Sequence, residues 1–458
     1  MEESQLLNKI YQEEKSLDIN NDTICGVPLW RIVRYKTRLQ YLNAQVGYVA
    51  RTSPQKAIGK RRIKICSGFW KYMFKKDLTI VFPFNRLVLL GSAYLDKFTD
   101  PVIEESDILR DNCVIVDPPS YISDYERIHK SCTISNESRT LVKQVLNAAC
   151  KFVARVFYHK KIKRIFNRVK GTFQLQDSYI KTYYGSTAAF LSNYVYYHFW
   201  FRLLRPRRVF IVYREGYFPI IAVCKKLHIP VAECQHGITH DKTVSFTGDY
   251  DNRIDPDYFF VFGNFWRGPQ FGMSLDRIVN IGWAYKLFLL KNSSTAQEKA
   301  DGAVLVISSP EISDAILDAV SEMAKLIPAV NFHIRLHPCE GYNDEQRAKL
   351  QRIGNAQVVD NKLDSSVVLP RYSHVIGENS SVLYEALSFD CHVALLNFGG
   401  LKAPLEIKGV AENFFVISQP QDFMGFLQGK DSGKKSSDSS FYSDFDQTEF
   451  NNFINTSM

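Results

Sequence analysis

The sequence predicts an α/β protein in two halves, each built on a parallel sheet and facing the other across a cleft. Three observations predict it. Short apolar runs alternate with helix-length segments between residues 208 and 282. The same alternation returns between residues 303 and 396. A polar stretch at 291–297 separates the two series and reads as an interdomain linker. Strands that alternate with helices imply parallel pairing and right-handed crossovers, so each half is expected to be Rossmann-like.

Residues 1–76 read as mostly helical and basic, with Trp30, Ile32, Val33, Tyr35 and Leu39 alternating with Arg31, Arg34, Lys36 and Arg38. The apolar run 78–82, closed by Pro83, and its counterpart 112–117, closed by Pro118 and Pro119, are expected to be buried strands. Residues 138–204 read as long helices. Within them, 188–204 is interrupted by Ser192, Asn193, His198 and Arg202. It therefore falls short of the roughly 18 uninterrupted apolar residues of a spanning helix and reads as buried or interfacial. Strands follow at 208–213, 230–234, 258–262 and 278–282, with a helix at 217–227. In the second series the strands are 303–308, 331–335, 357–359, 374–377 and 392–396. Helices are expected at 311–326, 344–353 and 380–387, the first with Ile312, Ile316, Ala319, Val320, Met323 and Ile327 on one face. The Ser/Lys/Asp-rich stretch 429–440 reads as flexible, and the tail from Phe441 as one short amphipathic helix. The units are thus an N-terminal domain over 1–290, a C-terminal domain over 298–428 and a tail over 429–458.

Of the 458 residues 45% are apolar, enough for sizeable cores. The net charge of +9 favours anionic partners. Nine scattered cysteines without a CxxC pair suit reduced thiols in the cytoplasm. The start, Met1-Glu2-Glu3-Ser4-Gln5, lacks the basic and apolar regions of a secretory signal. No strand is followed by GxGxxG or GxxxxGK[ST], and GxSxG is missing, which argues against dinucleotide oxidoreductases, P-loop NTPases and hydrolases. Asp249-Tyr250-Asp251 is formally a DxD, but no apolar strand precedes it and it reads as a solvated loop. Without a metal-ligand cluster, the chemistry is expected to need neither metal nor cofactor.

Polar motifs cluster at carboxyl ends of predicted strands, where open α/β sheets bind ligands. After one strand come Gln235, His236 and Gly237; His236 could remove a proton from an acceptor hydroxyl, with His240 and Asp241 close by in sequence to orient it. After another lie Arg214 and Glu215, the latter an alternative base or a dipole-stabilised acid. Arg335 and His337, in Arg-x-His-Pro, suit phosphate contact and donation to a leaving phosphate. Asn379, Ser380 and Ser381 open a helix and could hold a diphosphate, ordinary N-capping being the alternative. Glu385, a turn further on, could meet a ribose or face solvent, and Ser308 and Ser309 are supporting candidates. These groups suit a nucleotide-using transferase. Residues 60–76 and 151–170 mix cations with aromatics, a pattern suited to an anionic bilayer; no nucleic-acid module accompanies the charge.

In their order, the His-Gly loop at 236–237, Arg-x-His-Pro at 335–338 and Ser-Ser-Val at 380–382 resemble GT-B glycosyltransferases of bacterial capsule and O-antigen synthesis. They are also similar to CDP-glycerol glycerophosphotransferases and to capsule β-Kdo transferases. The likeness covers roughly residues 205–400. It departs from the teichoic-acid motifs at Gln235, at Ile238-Thr239 and at Glu378-Asn379, which weakens a glycerol-phosphate assignment more than the fold. The resemblance implies a GT-B-like fold, His236 as base, and Arg335, His337, Ser380 and Ser381 on the phosphates of a nucleotide-activated sugar. The expected activity is sugar transfer to a glycan or lipid-linked glycan of a surface polysaccharide, in the cytoplasm at the inner leaflet. A CDP-alcohol phosphotransferase, a nucleotide-sugar epimerase and a non-catalytic assembly protein are the alternatives.

Overall fold

The computed structural model describes residues 3–46, 67–84, 87–117, 127–134, 137, 140–239, 244, 246, 248–268, 272–292, 300, 302–407, 409–429 and 441–458. Strands are numbered along the chain. Thr23–Ile24 (β1) and Val27–Pro28 (β2) form a small antiparallel pair. Thr79–Phe82 (β3) opens the first large sheet, and Val88–Leu90 (β4) with Ala93–Leu95 (β5) make a second antiparallel pair beside it. The sheet continues through Cys113–Val116 (β6), Thr133–Ile134 (β7), Arg208–Ile211 (β8), Val231–Cys234 (β9), Tyr258–Val261 (β10) and Ile278–Asn280 (β11). Its order is β11-β10-β9-β8-β3-β6-β7, every neighbour parallel. The second sheet comprises Ala303–Ile307 (β12), Asn331–Arg335 (β13), Ala356–Val359 (β14), His374–Gly377 (β15), His392–Leu396 (β16) and Phe415–Ile417 (β17). Its order is β14-β13-β12-β15-β16-β17, again all parallel. Both halves are therefore Rossmann-like. The strand order reverses between β3 and β8 in the first sheet and between β12 and β15 in the second. In open parallel sheets the carboxyl edge at such a reversal is where ligands bind.

Local signals place the helices. Asn343 and Gln346 form a reciprocal capping box that starts Asp344–Arg352. Pro219 fits the first turn of the regular part of Arg214–Leu227, whose backbone kinks at Tyr217 (φ −125°). That kink is why the sequence reads a helix only from 217; Arg214 and Glu215 form an extra turn at the end of β8. The Ile180–Leu204 helix is apolar on nearly all sides and stops where Arg205 turns left-handed (φ 49°), with Pro206 unable to continue it. Among the described residues no helix is long and apolar enough to cross a membrane. The short strand β17 and the helix Ala284–Asn292 lie outside the elements foreseen from sequence.

The N-terminal helix Leu29–Val46 is basic in sequence but presents no simple cationic surface. Arg31 pairs with Asp255 at 2.5 Å, Arg38 with Glu14 at 2.7 Å, and Arg34 stands 3.7 Å from Glu215, all buried. The tail returns to the first half. Its backbone at Ser443 donates to Phe262 and accepts from Trp283, and Phe450 of the Gln447–Thr456 helix packs on Phe210 and Phe260. One hydrophobic core accordingly runs from Val81 and Phe210 through Tyr285 and Phe441 to Leu305 and Tyr384, joining the two sheets. Most of the linker (293–299), residues 60–66 of the first basic stretch, His240, Asp241 and residues 430–440 lie outside the described residues.

Candidate functional site

In the first half the carboxyl edge of the reversal is lined by aromatics. His236, just beyond β9, has ring neighbours Phe84 at 5.1 Å, Tyr213 at 5.2 Å, Phe246 at 6.4 Å and Phe98 at 6.5 Å between centroids. Phe84 follows β3 and Tyr213 follows β8, so the histidine leans over the strand reversal. Gln235 is fully buried and ties the loop down: its Oε1 accepts from the Phe262 N–H (3.0 Å) and its Nε2 donates to the Gly237 carbonyl (2.8 Å). Gly237 takes φ +142°, a conformation that favours glycine, and so turns the chain away directly after the histidine.

Glu215 is held beneath the N-terminal helix. Its carboxyl lies under the Leu29–Val46 helix, its side chain 3% exposed and its Oε1 without a hydrogen bond. Burial pushes its pKa up to about 7 from 4.5, against the pull of Arg34, Arg31, Arg38 and Arg214. Arg214 is likewise committed: it donates to Glu233 (2.5 Å) and Asp255 (3.3 Å) and stacks over Phe246. This network ties the N-terminal helix to the end of β8 and, through Phe246, borders the surroundings of His236. Asp249 is held by the Tyr11 hydroxyl, and Asp251 by Arg253 at 2.8 Å.

In the second half, Ser308 and Ser309 follow β12 and Asn379, Ser380 and Ser381 follow β15, so the two groups straddle the strand reversal. Glu340 organises the floor. One of its oxygens accepts from the Ser308 hydroxyl (2.6 Å) and the Ser313 hydroxyl (2.7 Å), the other from the His337 N–H (2.9 Å). The His337 Nδ1 accepts from the Cys339 N–H (3.2 Å). In a neutral ring that places the proton on Nε2, the tautomer able to donate to an anion. Ser380 is the N-cap of Ser381–Leu387, its Oγ accepting from Val382 N–H (3.3 Å), which leaves the hydroxyl proton for donation. Asn379 is exposed, and Ser381 half-buried.

Two sequence candidates have other engagements. Arg335 is 8% exposed, and its terminal nitrogens donate to the carbonyls of Asp360 (3.0 Å) and Leu363, holding the loop that ends in Asp364. Glu385 does not face solvent. Its side chain is 4% exposed, and it accepts from the Ser366 hydroxyl (2.8 Å) and pairs at 3.0 Å with Lys97 of the first half. Asp364 stands 3.7 Å from the same ammonium. A ribose contact by Glu385 would have to share these partners.

Lys97 is the residue the sequence reading missed. It bridges the halves, and its ammonium lies 5.7 Å from the Phe98 ring, which also faces His236. The candidate base is thus one aromatic ring away from the interdomain bridge. Asp96 beside it is buried, accepts from the backbone N–H of Phe84 (2.6 Å) and Phe98 (2.8 Å), and is pushed up to about 7 by burial and by Asp100. These residues sit between two apolar runs in a segment with no periodic pattern; the only local signal is the Asp-Pro pair at 100–101 that starts a helix.

No family model and no curated protein matches the chain. Solved structures do. The UDP-GlcNAc 2-epimerase from Neisseria meningitidis, bound to UDP-GlcNAc, aligns over 83% of this chain and 100% of its own with a TM-score of 0.50 at 13% identity. A glycosyltransferase from Rickettsia africae aligns over 84% and 100% with a TM-score of 0.44 at 12% identity. A lipopolysaccharide outer core galactosyltransferase aligns over 83% and 100% with a TM-score of 0.41 at 12% identity. With two parallel Rossmann-like sheets and a tail that returns to the first, this chain has a GT-B-like fold.

Proposed function

We propose that this chain is a GT-B enzyme that moves a sugar from a nucleotide-activated donor to a surface-polysaccharide acceptor, a glycan or lipid-linked glycan, without a metal. One observation carries the proposal. His236 on one side and His337, Ser380 and Ser381 on the other stand at the carboxyl edges of two sheets that Lys97 and Glu385 bring into contact. The donor phosphates would lie over the β12–β15 reversal, at the Nε2–H of His337 and the Ser380 hydroxyl. His236 takes the proton of the acceptor hydroxyl as that oxygen bonds to the anomeric carbon. The bond from that carbon to the phosphate oxygen breaks, and the nucleoside diphosphate leaves with the electron pair. Its charge is met by donors already in place, the arrangement in which electrostatic stabilisation is strongest. Gln235 and Gly237 hold the base loop, and Arg335 holds the loop of Asp364.

The likeness to the Neisseria meningitidis epimerase favours a second reading, epimerisation of a nucleotide sugar at the same carboxyl edges. One experiment separates the two. The protein is screened for thermal stabilisation by UDP, GDP, CDP, CMP and dTDP, and the sugar conjugates of any nucleotide that binds are then incubated with and without acceptor extract. A nucleotide at a hundred times its dissociation constant adds roughly 2.7 kcal/mol of stability. Sugar transfer only with acceptor supports the proposal; a new sugar epimer without acceptor establishes the second reading; a phosphoalcohol in the product indicates phosphotransfer. No stabilisation by any of them, and no product, refutes both.

A further inference from the structure

We infer that the outer face of the helical layer on the first sheet is a docking surface for an anionic lipid bilayer. The face is formed by Leu141–Val156, the second half of Ile180–Leu204 and the turn at Gly68–Tyr72 with Met73 and Phe74. This inference stands apart from the donor chemistry proposed above.

The face is apolar where a solvated helix would be polar. Of nineteen large hydrophobic side chains exposed on the described residues, twelve belong to these elements and Phe157 at their end. On Leu141–Val156 the exposed set is Leu141, Val142, Val145, Phe152 and Val156, with Phe152 65% exposed. Their spacing puts them on one side of the helix, while Cys150 and Ala154 face inward. On Ile180–Leu204, Val195, Phe199 and Leu203 recur every fourth residue in the same manner. Trp70 is 56% and Phe74 95% exposed, and Phe69 between them and the helix packs on Trp200. The opposite side of Ile180–Leu204 packs through Tyr197 and Phe201 on Phe82, at the carboxyl end of β3. The apolar face is therefore the side of this helix turned away from the first sheet.

Charge selects the occupant. Between Glu137 and Glu215 the chain carries sixteen Lys and Arg and a single acid, Asp177. Some of these cations are turned to acids elsewhere, Arg164 to Asp22 and Arg168 to Asp18. Lys151 and Arg155 are exposed on the apolar helix itself, Lys160 and Lys163 on the helix after it, and Arg202 between Phe199 and Leu203. Lys71 is exposed within the turn and Lys76 just after Phe74. Apolar side chains ringed by cations match a bilayer interface with anionic head groups. A twofold contact between copies of this chain would set the same cations against each other. The contact is interfacial, since no described helix can span.

The test is co-sedimentation of the full chain with vesicles of phosphatidylcholine alone or mixed with phosphatidylglycerol. The wild-type protein is expected to pellet with the mixed vesicles and to be released by salt. Phe152→Ser should lower the partition coefficient about tenfold or more, and Lys160→Gln with Lys163→Gln should lower it and flatten its salt dependence. All these positions are exposed, so the melting temperature should not move. Absence of binding to mixed vesicles, or equal binding by Phe152→Ser, overturns the inference. So does a wild-type dimer in sedimentation velocity that Phe152→Ser dissolves, because the face would then belong to a second copy.

Discussion

Replacing Lys97 with Met should loosen the contact between the two halves. Met keeps most of the stem and deletes the charge. It leaves Glu385 and Asp364, 4% and 10% exposed, beside an apolar side chain. At 3.0 Å an ion pair is worth about 5 kcal/mol with an effective dielectric near 20, before the cost of burying the ammonium is subtracted. Removing one partner of a buried pair costs about 3–5 kcal/mol. The lower figure is the better expectation here, since Lys97 keeps 15% exposure and the Ser366 hydroxyl still serves Glu385. The ammonium is charged throughout the useful range. Burial pulls its pKa down, but Asp364 and Glu385 outweigh that and hold it well above its ordinary 10.5. A raised value means that this stabilisation is complete below about pH 10.5 and is lost only as pH rises through the folded-state value. The loss should therefore be the same at pH 7 and pH 9. Urea denaturation measures the total, and hydrogen exchange over 84–100 and 365–387 reports whether the two sides of the bridge open together. Adding Glu385→Gln to Lys97→Met should recover at least about 1 kcal/mol of the loss expected from adding the single effects. A loss below about 1 kcal/mol with unchanged exchange at both segments would refute the bridge as the clasp between the halves.

Other outcomes follow from the same geometry. His236→Ala should abolish turnover while leaving donor affinity within about twofold, since a lost general base alone is worth on the order of a hundredfold or more in rate; near-normal kcat removes it from the mechanism. His337→Ala should weaken donor binding about tenfold, one charge-assisted hydrogen bond, and an unchanged Kd by calorimetry counts against its placement on the phosphates. Gln235→Ala strands the buried Phe262 N–H and should cost about 1–3 kcal/mol in urea denaturation; a loss under about half a kcal/mol would show that the loop does not depend on it. Glu215→Gln tests burial of a carboxyl held near pH 7. Because the folded value is raised above 4.5, the unfolded chain releases its proton first, so this group subtracts stability as pH climbs from about 4.5 to about 7, by at most about 3 kcal/mol. Asp96 adds a similar slope in both proteins, so the difference between wild type and variant isolates Glu215; superimposable profiles from pH 5 to pH 7.5 refute its raised pKa.

Much of the architecture was legible because burial on both faces of a parallel sheet writes itself as continuous apolar runs. β3, β6, β8, β9, β10, β12, β13, β15 and β16 all fall within the runs that predict them. The positions of His236, His337 and Ser380 at carboxyl edges were legible for a related reason: a strand must end in a loop, and polar residues directly after an apolar run mark it. What those side chains touch was not. Arg335 shares its motif with His337, yet its guanidinium goes to two loop carbonyls, because those carbonyls arrive from residues 360 and 363. Glu215 looked like a second base beside a strand end, yet a helix from the first fifty residues covers it with arginines.

By itself the sequence determined two parallel α/β halves, the edge at which chemistry could occur and a cationic, aromatic helical layer. Periodicity and punctuation are local, and they survive in a linear reading. Only the tertiary structure decided that the tail completes the first half, that the apolar stripe of Leu141–Val156 faces outward, and that Lys97 meets Glu385. These are contacts between segments far apart along the chain, set by how helices cover sheets and how buried charges find partners, and neither leaves a periodic trace in the residues concerned.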